Sequence, residues 1–303
     1  MLVFPFCEVI VVNVSVVMLS FNRRDDVADG LGELLSQDYS NLEIIVVDNG
    51  STDGTAEMVR ERFPRVVLIA FEKNIGIAAY NTGFNQAQGE FIVILDDDSF
   101  PAKNAIHRMV EEFRNNEKLG IIAFDVRHYD EFKKRDSVSI KTERKGNSDC
   151  GYRMAFNGCG VGIRKRLLDE IGGYPGEFFL YWNEQDLSIR AMDAGYQIQW
   201  FRDIVSYHKY SPVNRESQRA PFYYTRNLYW LIWKYFPFLK LVKDTLRMIY
   251  YSFYYSFEQG TSVYLKALLS ALLDIREIKR KPANKKIIKQ LRLTYKLAFI
   301  YYK

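Results

Sequence analysis

The chain has 303 residues, of which 48% are hydrophobic, 26% are charged and three are cysteines. This composition excludes a largely disordered chain, and the length allows one large domain with an appendage or two modest domains. Three cysteines are too few for a disulfide framework and indicate a reducing, cytosolic compartment. The net charge of +5 is unevenly divided, because residues 221–303 hold 16 basic and 4 acidic residues (+12), which leaves 26 basic and 33 acidic residues (−7) for residues 1–220.

The apolar beginning of the chain, residues 1–22, is the first feature along the sequence. It lacks a basic segment and a small-residue cleavage site, Glu8 and Asn13 interrupt it, and it is short for a membrane-spanning helix. Its Val and Ile content, followed by a polar turn, instead predicts a buried strand near residues 15–20.

Strand and helix patterns then alternate as far as residue 115. Apolar, β-branched runs end near residues 20, 48, 70 and 95, and a segment with helical spacing of apolar residues follows each run. This alternation predicts an α/β fold with a mostly parallel central sheet flanked by helices. In open sheets of that kind, ligands bind at the carboxyl ends of the strands.

The most informative strand end carries three adjacent carboxylates, Asp96, Asp97 and Asp98. Like charges this close repel and raise one another's pKa unless a cation lies among them. Hard oxygen ligands at a strand end suit Mg²⁺ or Mn²⁺, which commonly complete their coordination with substrate phosphates. The alternative is a solvated acidic turn that caps the helix after Pro101.

Two other strand ends add polar groups to the same edge of the predicted sheet. Asp48 can accept a hydrogen bond from N3–H of a uracil or thymine ring on which Phe21 stacks; the alternatives are an Asx turn for Asp48 and a core position for Phe21. Farther along, Asn74 and Gly76 form a turn that opens a helix, where backbone N–H groups can meet phosphate.

Beyond residue 120 the alternation is less regular. A strand is predicted at 120–129, a charged surface hairpin or loop at 133–151, a strand with a short helix at 154–179, and a helix followed by a strand at 183–200, with Gly195 as the helix stop. Cys150 and Cys159 have no His or Cys nearby at zinc-binding spacing, so they are interpreted as core or loop thiols.

Five segments resemble, in order, an inverting family 2 glycosyltransferase with the GT-A fold. They are SVVMLSFNR, IIVVDNGSTDGT, NIGIAAYNTGF, FIVILDDDS and FFLYWNEQDLSIRAMDAGY. The resemblance covers about residues 14–210, the later segment YYTRNLYWLIWKYFP is also similar, and the bacterial rhamnosyl- and galactofuranosyltransferases are the most similar subgroup. It implies a catalytic domain over residues 1–220, followed by an aromatic and basic helical extension over 221–303.

The resemblance also implies roles for the residues at the strand ends. Asp48 would bind the pyrimidine base with Phe21 near it, and Asn74 and Gly76 would contribute to the donor site. Asp96 and Asp97 would approach the ribose and the diphosphate. Asp98 would bind Mn²⁺ or Mg²⁺ together with His208, for which a buried, hydrogen-bonded histidine is the alternative.

The later acidic motif implies the catalytic groups. Many relatives have two adjacent acids there, and here the first is replaced by Asn183 while Glu184 matches the general base. A role of Glu184 in stabilising the helix N-terminus is the bland alternative and is compatible with catalysis. Trp182 and Asp186 would bind the acceptor.

Together these roles imply transfer of a hexosyl or pentosyl group, with inversion, from a UDP- or dTDP-linked sugar to a glycan or lipid-linked glycan. A carboxylate takes the proton of the acceptor hydroxyl, and a divalent cation neutralises the leaving diphosphate. A sugar nucleotidyltransferase is the first alternative, but LSFNRRDD lacks the glycine-rich triphosphate loop of that class. A non-catalytic nucleotide-sugar-binding protein is the second.

The C-terminal part has a composition of its own, with fifteen Phe, Tyr and Trp in residues 222–257 and Lys or Arg interspersed among them. Trp and Tyr favour membrane interfaces, and basic residues favour anionic headgroups. We therefore predict peripheral helices on the cytoplasmic face of the inner membrane, with a helical cap on the catalytic domain as the alternative. No nucleic-acid partner is predicted, because no binding motif accompanies the basic residues.

Overall fold

The computed structural model describes residues 14–135, 150–152, 156–212, 219–291 and 293–299. The strands are β1 (Val14–Ser20), β2 (Leu42–Asp48), β3 (Val67–Ala70), β4 (Phe91–Asp96), β5 (Ser99–Pro101), β6 (Leu119–His128), β7 (Cys150–Tyr152), β8 (Val161–Arg164) and β9 (Gln197–His208). The helices are α1 (Arg24–Leu35), α2 (Thr55–Arg62), α3 (Ala79–Gln86), α4 (Ala105–Asn115), α5 (Tyr129–Arg135), α6 (Lys165–Ile171), α7 (Asn183–Asp193), α8 (Arg219–Tyr235), α9 (Phe238–Glu258), α10 (Val263–Leu273) and α11 (Lys285–Gln290).

One mixed sheet organises these elements in the order β3-β2-β1-β4-β8-β6-β9-β5, with β7 also paired to β9. The strands β3, β2, β1 and β4 are parallel, as the alternating pattern predicts, whereas β8 runs antiparallel to β4. The chain leaves β1 in the middle of the parallel half, with β2 on one side and β4 on the other. The strand order therefore reverses direction at β1, since β2 and β3 lie on one side of it and β4 on the other. In an open α/β sheet, a ligand-binding crevice forms where the strand order reverses.

The two faces of the sheet bury different cores because side chains alternate along each strand. On one face, Val16 and Met18 of β1 pack with α1, α2 and α4. On the other face, Val17 packs with α3 and α7 in a core that continues through α8 to α11. The C-terminal helices therefore share their core with the sheet.

Most of the remaining predictions about elements agree with the structure where it describes the chain, but residues 133–135 of the predicted hairpin or loop belong to α5, and β9 extends to His208 instead of ending at residue 200. The predicted strand near residues 15–20 is β1, and α7 ends before Gly195, which has a φ of 90°. Most of the predicted hairpin at 133–151, and Cys7, lie outside the described residues. Over the part of the chain that is described, none of the helices has both the length and the hydropathy needed to cross a membrane.

Candidate active site

The register of the parallel strands brings three predicted positions to one edge of the sheet. In the β1–β2 ladder Ser20 lies opposite Asp48, and in the β1–β4 ladder Leu19 lies opposite Asp96. Phe21 follows β1 directly, and its backbone N–H donates to Asp97 Oδ2 at 3.3 Å. The strand ends that the sequence singled out therefore form one cluster.

Arg23 is the cation that lies among the carboxylates in this structure. Its Nη1 is 3.3 Å from Asp97 Oδ1 and 2.9 Å from Asp98 Oδ2, and all three side chains are largely buried. Burial raises the pKa of Asp97 well above its usual range, and the charge of Arg23 opposes that rise. Arg23 is not among the predicted site residues, although its position three residues after β1 was a signal for it.

Asp98 is held by groups from the far end of β9. The β5–β9 ladder places His208 opposite Ser99, so that His208 Nε2 lies 3.0 Å from Asp98 Oδ1. The Ser211 N–H donates to Asp98 Oδ2 at 2.9 Å. Burial alone would raise the pKa of Asp98, but His208, Arg23 and Ser211 together lower it to about 2. Asp98 is thus a carboxylate with a lowered pKa next to a buried imidazole, and this contact also agrees with the buried, hydrogen-bonded histidine that is the alternative for His208.

Asp96 accepts hydrogen bonds from two side chains that the sequence analysis did not identify. Tyr80 Oη lies 3.1 Å from Asp96 Oδ1, and Cys159 Sγ lies 3.0 Å from Asp96 Oδ2. Burial, followed by the charge of Asp96, raises the pKa of the Cys159 thiol well above its usual range. Cys159 is the buried thiol that the sequence predicts, but it lies in the site as a neutral donor rather than in a remote core.

The donor atoms at this edge fit a hard divalent cation. The 3.0 Å between Asp98 Oδ1 and His208 Nε2 is the length of a hydrogen bond, and two cis ligands of an octahedral ion with bonds of about 2.1 Å lie about 3 Å apart as well. Ligand atoms of Asp96, Cys159 and His208 all lie within 4.8 Å of one another. The buried His208 Nδ1 has no hydrogen-bond partner among the described residues. Because the Cys159 thiol stays protonated, the carboxylates and the imidazole are the suitable ligands.

Glu184 begins α7 and is close to Asp96. A Cβ atom built on Gly158 would lie 3.4 Å from Glu184 Oε1 and 3.6 Å from Asp96 Oδ1, so both carboxylates border the same space beside Gly158. Glu184 keeps partial exposure to solvent. Burial, and to a smaller degree the charge of Asp96, raise its pKa to about 7, while hydrogen bonds from its own backbone N–H and, more weakly, from the Asn183 side chain oppose the rise. A carboxylate with this pKa is suited to accept a proton near neutral pH.

The segment that leads into α7 is unusual and is held by α8. Three non-glycine residues have a positive φ: Phe179 (60°), Tyr181 (67°) and Trp182 (64°). Such conformations cost about 1–3 kcal/mol each unless the surroundings hold them. The buried Asn227 of α8 donates to three carbonyl oxygens of this segment: Phe178 (2.8 Å), Leu180 (2.6 Å) and Tyr181 (3.2 Å). We refer to residues 178–182 as the α7 entry loop.

The structure does not bring the two predicted acceptor residues into the carboxylate cluster. Asp186 is fully buried between α7 and α8, where it accepts from Arg190 Nε at 2.7 Å, Lys234 Nζ at 2.8 Å and Tyr235 Oη at 2.7 Å. Trp182 is also buried, and its Nε1 donates to Tyr224 O at 2.9 Å. The Asp186 carboxylate and the Trp182 indole N–H thus already have hydrogen-bond partners within the protein, as is typical of buried packing residues.

The predicted phosphate contact at Gly76 also needs correction. The Gly76 N–H donates to Asn74 Oδ1 at 2.8 Å, and Asn74 Oδ1 also accepts from Asn49 Nδ2 at 3.0 Å. Gly76 has a φ of 68°, and a Cβ atom there would lie 2.2 Å from the carbonyl oxygen of Phe179. Glycine is therefore required for close packing against the α7 entry loop.

Asp48, at the end of β2, has two donors from one neighbour. It is 2% exposed and accepts from both the hydroxyl and the backbone N–H of Ser51. Burial raises its pKa, and Ser51 opposes that rise. The Asx-turn contact that the sequence analysis left open is therefore present, and the carboxylate retains acceptor capacity for a further donor.

Sequence comparisons place these residues among known proteins. The family model described as glycosyl transferase family 2 matches residues 15–172, just over half of the 303 residues. Glycosyltransferase AglE of Haloferax volcanii is 26% identical over 66% of this chain and 67% of its own length. Poly-beta-1,6-N-acetyl-D-glucosamine synthase of Staphylococcus epidermidis is 34% identical over 64% of this chain, and the match spans 47% of that synthase.

Solved structures show the same fold. Mannosyltransferase PcManGT from Pyrobaculum calidifontis, in complex with GDP-Man and Mn²⁺, has a TM-score of 0.57 at 18% identity, with 95% of this chain and 86% of that chain covered. S. aureus TarS in complex with UDP-GlcNAc has a TM-score of 0.53 at 16% identity, with 73% of this chain and 66% of that chain covered. These neighbours confirm the predicted GT-A fold.

Proposed function

Because this chain belongs to glycosyl transferase family 2, we propose that it transfers a sugar from a nucleoside-diphosphate sugar to a hydroxyl group of a glycan, with inversion of the anomeric carbon. The observation that carries the proposal is the proximity of Glu184 and Asp96, whose carboxylate oxygens both lie beside Gly158. It supports a base that faces the donor site at close range. A single base on the face opposite the leaving group corresponds to one displacement, and hence to inversion.

The donor is proposed to lie along the carboxyl ends of β1, β2 and β4. Asp48 binds the base and Phe21 lies beside it, while Asp96 and Asp97 approach the ribose and the diphosphate. A uracil or thymine ring offers the N3–H that a carboxylate accepts, so UDP- and dTDP-sugars are favoured. TarS with UDP-GlcNAc and PcManGT with GDP-Man are structural neighbours that bind nucleotide sugars, and GDP-sugars are therefore included in the test.

Asp98 and His208 are the residues that would hold Mn²⁺ or Mg²⁺. When bound, the cation supplies positive charge for the leaving diphosphate. The protein's own contributions are to keep Asp98 ionised, through Arg23 and Ser211, and to orient His208 towards it. Arg23 adds a second positive charge on the same side of the site.

Glu184 is proposed to take the proton of the acceptor hydroxyl as that oxygen attacks the anomeric carbon. The α7 entry loop holds Glu184 in place, because Asn227 fixes its backbone. The acceptor is proposed to be a glycan, favoured as lipid-linked, that is reached at the cytoplasmic face of the membrane. A sugar nucleotidyltransferase is not favoured, since the turn after β1 contains Asn22 and Arg23 where a glycine-rich phosphate loop is needed.

The direct experiment is a panel of UDP-, dTDP- and GDP-sugars. Each would be tested for thermal stabilisation of the protein with Mn²⁺, and then for release of nucleoside diphosphate with a glycan acceptor. Release of the diphosphate with transfer of the sugar is the expected result. Release of pyrophosphate from a nucleoside triphosphate and a sugar phosphate would instead support the nucleotidyltransferase.

Replacing Asp98 by Asn is expected to weaken donor binding about tenfold to hundredfold in the presence of Mn²⁺, since a contact with a charged partner contributes about 1.5–3 kcal/mol. Without metal, the variant and the original protein are expected to bind the donor with similar, weaker affinity. Calorimetric titration with and without Mn²⁺ measures both quantities. Asp125→Asn, in an ion pair with Arg127 on β6, is the control. Unchanged metal dependence in the Asp98 variant would show that the cation binds elsewhere.

The pH profile is expected to report the ionisation of Glu184. Because its pKa is raised to about 7 and the carboxylate is the reactive form, kcat/KM should be constant above that pH and fall about tenfold for each pH unit below it. Asn183→Asp should move the midpoint to higher pH, since it adds a like charge and removes the hydrogen bond that lowers the pKa. Asn183→Ser, which is neutral, is the matched control. Identical midpoints in the two variants would contradict this assignment.

A further inference from the structure

The exposed side of α9 is the most apolar part of the described surface. Of the fourteen large hydrophobic side chains that are exposed there, eight belong to this helix: Phe238, Leu239, Val242, Leu246, Tyr250, Phe253, Tyr254 and Phe257. Their spacing of three and four residues places them along one face. The opposite face packs into the core through Leu241, Met248 and Ser252. We call the eight exposed residues the α9 stripe.

The side chains of the α9 stripe form a continuous exposed row along the helix and are not isolated exposed residues. Phe257 is 92% exposed and Leu239 is 84% exposed, and single exposed residues of this kind are common, whereas a continuous row of them marks an interaction surface. Among the described residues, α10, which packs against α9, adds three more exposed leucines. A surface of this kind needs a partner that accepts apolar side chains.

Basic groups border one edge of the stripe. Lys243 is exposed and follows Val242 directly, and Arg247 lies one turn farther along the same edge. The buried Asp244 pairs with Lys240 at 2.6 Å and with Arg247 at 3.5 Å, so one carboxylate faces these two cations and Lys243 adds a further, exposed charge. An apolar row bordered by cations is the pattern of a helix that lies in a membrane interface.

A cavity of about 720 Å³ opens at the beginning of α9, between that helix and α11. Phe238, Leu239 and Ile288 supply apolar walls, and Lys240, Lys285 and Lys289 supply positive charge. Lys285 and Lys289 are exposed. A cavity with apolar walls and the exposed ammonium groups of Lys285 and Lys289, beside Lys240 that pairs with Asp244, suits an anionic headgroup whose hydrocarbon continues along the apolar surface.

We infer that the α9 stripe and the adjoining lysine-lined cavity dock this protein on the surface of an anionic lipid bilayer. Charge selects this occupant over a second copy of the chain. Residues 221–303 carry a formal charge of +12, from 16 basic and 4 acidic residues. Two copies joined through α9 would bring these like charges together, whereas anionic lipid attracts them. The inference rests on the proposed function only in that a lipid-linked acceptor is found at such a surface.

Vesicle co-sedimentation of the full chain, without any substrate, tests the inference. The protein is expected to bind vesicles of phosphatidylcholine mixed with phosphatidylglycerol, and to bind pure phosphatidylcholine far less. The double variant Leu246→Glu with Phe257→Glu should reduce binding by about tenfold or more, since both side chains lose a favourable apolar transfer. Lys285→Glu with Lys289→Glu should reduce it about fivefold for each residue, and added salt should reduce it further.

Leu35→Glu is the matched control, because Leu35 is 50% exposed at the end of α1, on the opposite face of the sheet. It should leave vesicle binding unchanged. Equal loss in this variant, or no binding of the original chain to anionic vesicles at low salt, would overturn the inference. So would a stable dimer in lipid-free solution that the Leu246 and Phe257 variant dissociates, since a second copy would then cover the stripe.

Competition with soluble phosphate distinguishes a lipid headgroup from free phosphate as the anion that binds. If phosphate displaces the protein from the vesicles no better than chloride, the lipid headgroup is supported. If phosphate displaces it much better than chloride, the inference is contradicted.

Release of nucleoside diphosphate with a water-soluble acceptor separates this inference from the proposed function. The α9 variants should retain that activity, because the stripe does not contact the carboxylate cluster. Loss of vesicle binding with retained transfer supports both conclusions. Intact vesicle binding by a chain that transfers no sugar would remove the proposed function and leave the docking surface in place.

Discussion

Replacing Glu184 by Gln is expected to slow sugar transfer about 10²–10⁴-fold and to leave donor binding unchanged, because the amide keeps the size of the side chain but cannot accept a proton. Single-turnover transfer measures the chemical step, and calorimetric titration measures the donor. The pH dependence below 7 should disappear in the residual activity. The expected loss is large because the carboxylate has a pKa of about 7, which suits it to accept a proton near neutral pH.

The matched control for this change is Glu170→Gln on the surface of α6, where Glu170 accepts a hydrogen bond from Tyr196 at 2.9 Å. It should transfer sugar at the original rate. Near-normal transfer by the Glu184 variant would assign the base to another group. Weak donor binding by the same variant would indicate that Glu184 contributes to binding the donor and does not act only in the chemical step.

Replacing Asp186 by Asn is expected to lower the free energy of unfolding by about 3–5 kcal/mol, because it leaves buried cations without their partner. Asp186 is fully buried, and it joins Arg190 of its own helix to Lys234 and Tyr235 of α8. Denaturation with urea, followed by circular dichroism, measures the loss. The acceptor-binding role that the motif implied for Asp186 stays a prediction, which the KM for the acceptor tests.

Asp169→Asn provides the comparison for this second prediction. Asp169 also pairs with a lysine four residues away, but its side chain is 61% exposed, so the change should be within about 0.5 kcal/mol. In the double variant Asp186→Asn with Lys234→Met, part of the stability should return, because one of the stranded charges is gone. Normal stability with a raised KM for the acceptor would restore the original interpretation of Asp186.

Local patterns in the sequence predicted much of the fold and part of the candidate site. Strand ends are local features, so Asp48 and Asp96 could be placed at one edge of a parallel sheet from periodicity alone. Glu184 was located through the motif, and the structure places it near Asp96. These positions depend on neighbours within one strand or one helical turn.

The groups that the sequence analysis missed are supplied by distant parts of the chain. Cys159 lies 63 residues from Asp96, and the two meet only because β8 pairs antiparallel with β4. Arg23 meets Asp97 and Asp98 across β1 and β4. The register of strand pairs decides such contacts, and one sequence does not reveal that register. The same limit explains Asp186, whose partners on α8 are more than forty residues away.

The α7 entry loop has a consequence for how this enzyme can be divided or recombined. Its carbonyl oxygens bond to Asn227, and the nearby Asp186 bonds to Lys234, so α8 completes the backbone that carries Glu184. A fragment that stops at residue 220 would retain every carboxylate of the cluster and still lose the contacts that support the backbone next to Glu184, the proposed base. A chimera that takes its sheet from one relative and its C-terminal helices from another should work only when the loop and α8 come from the same parent.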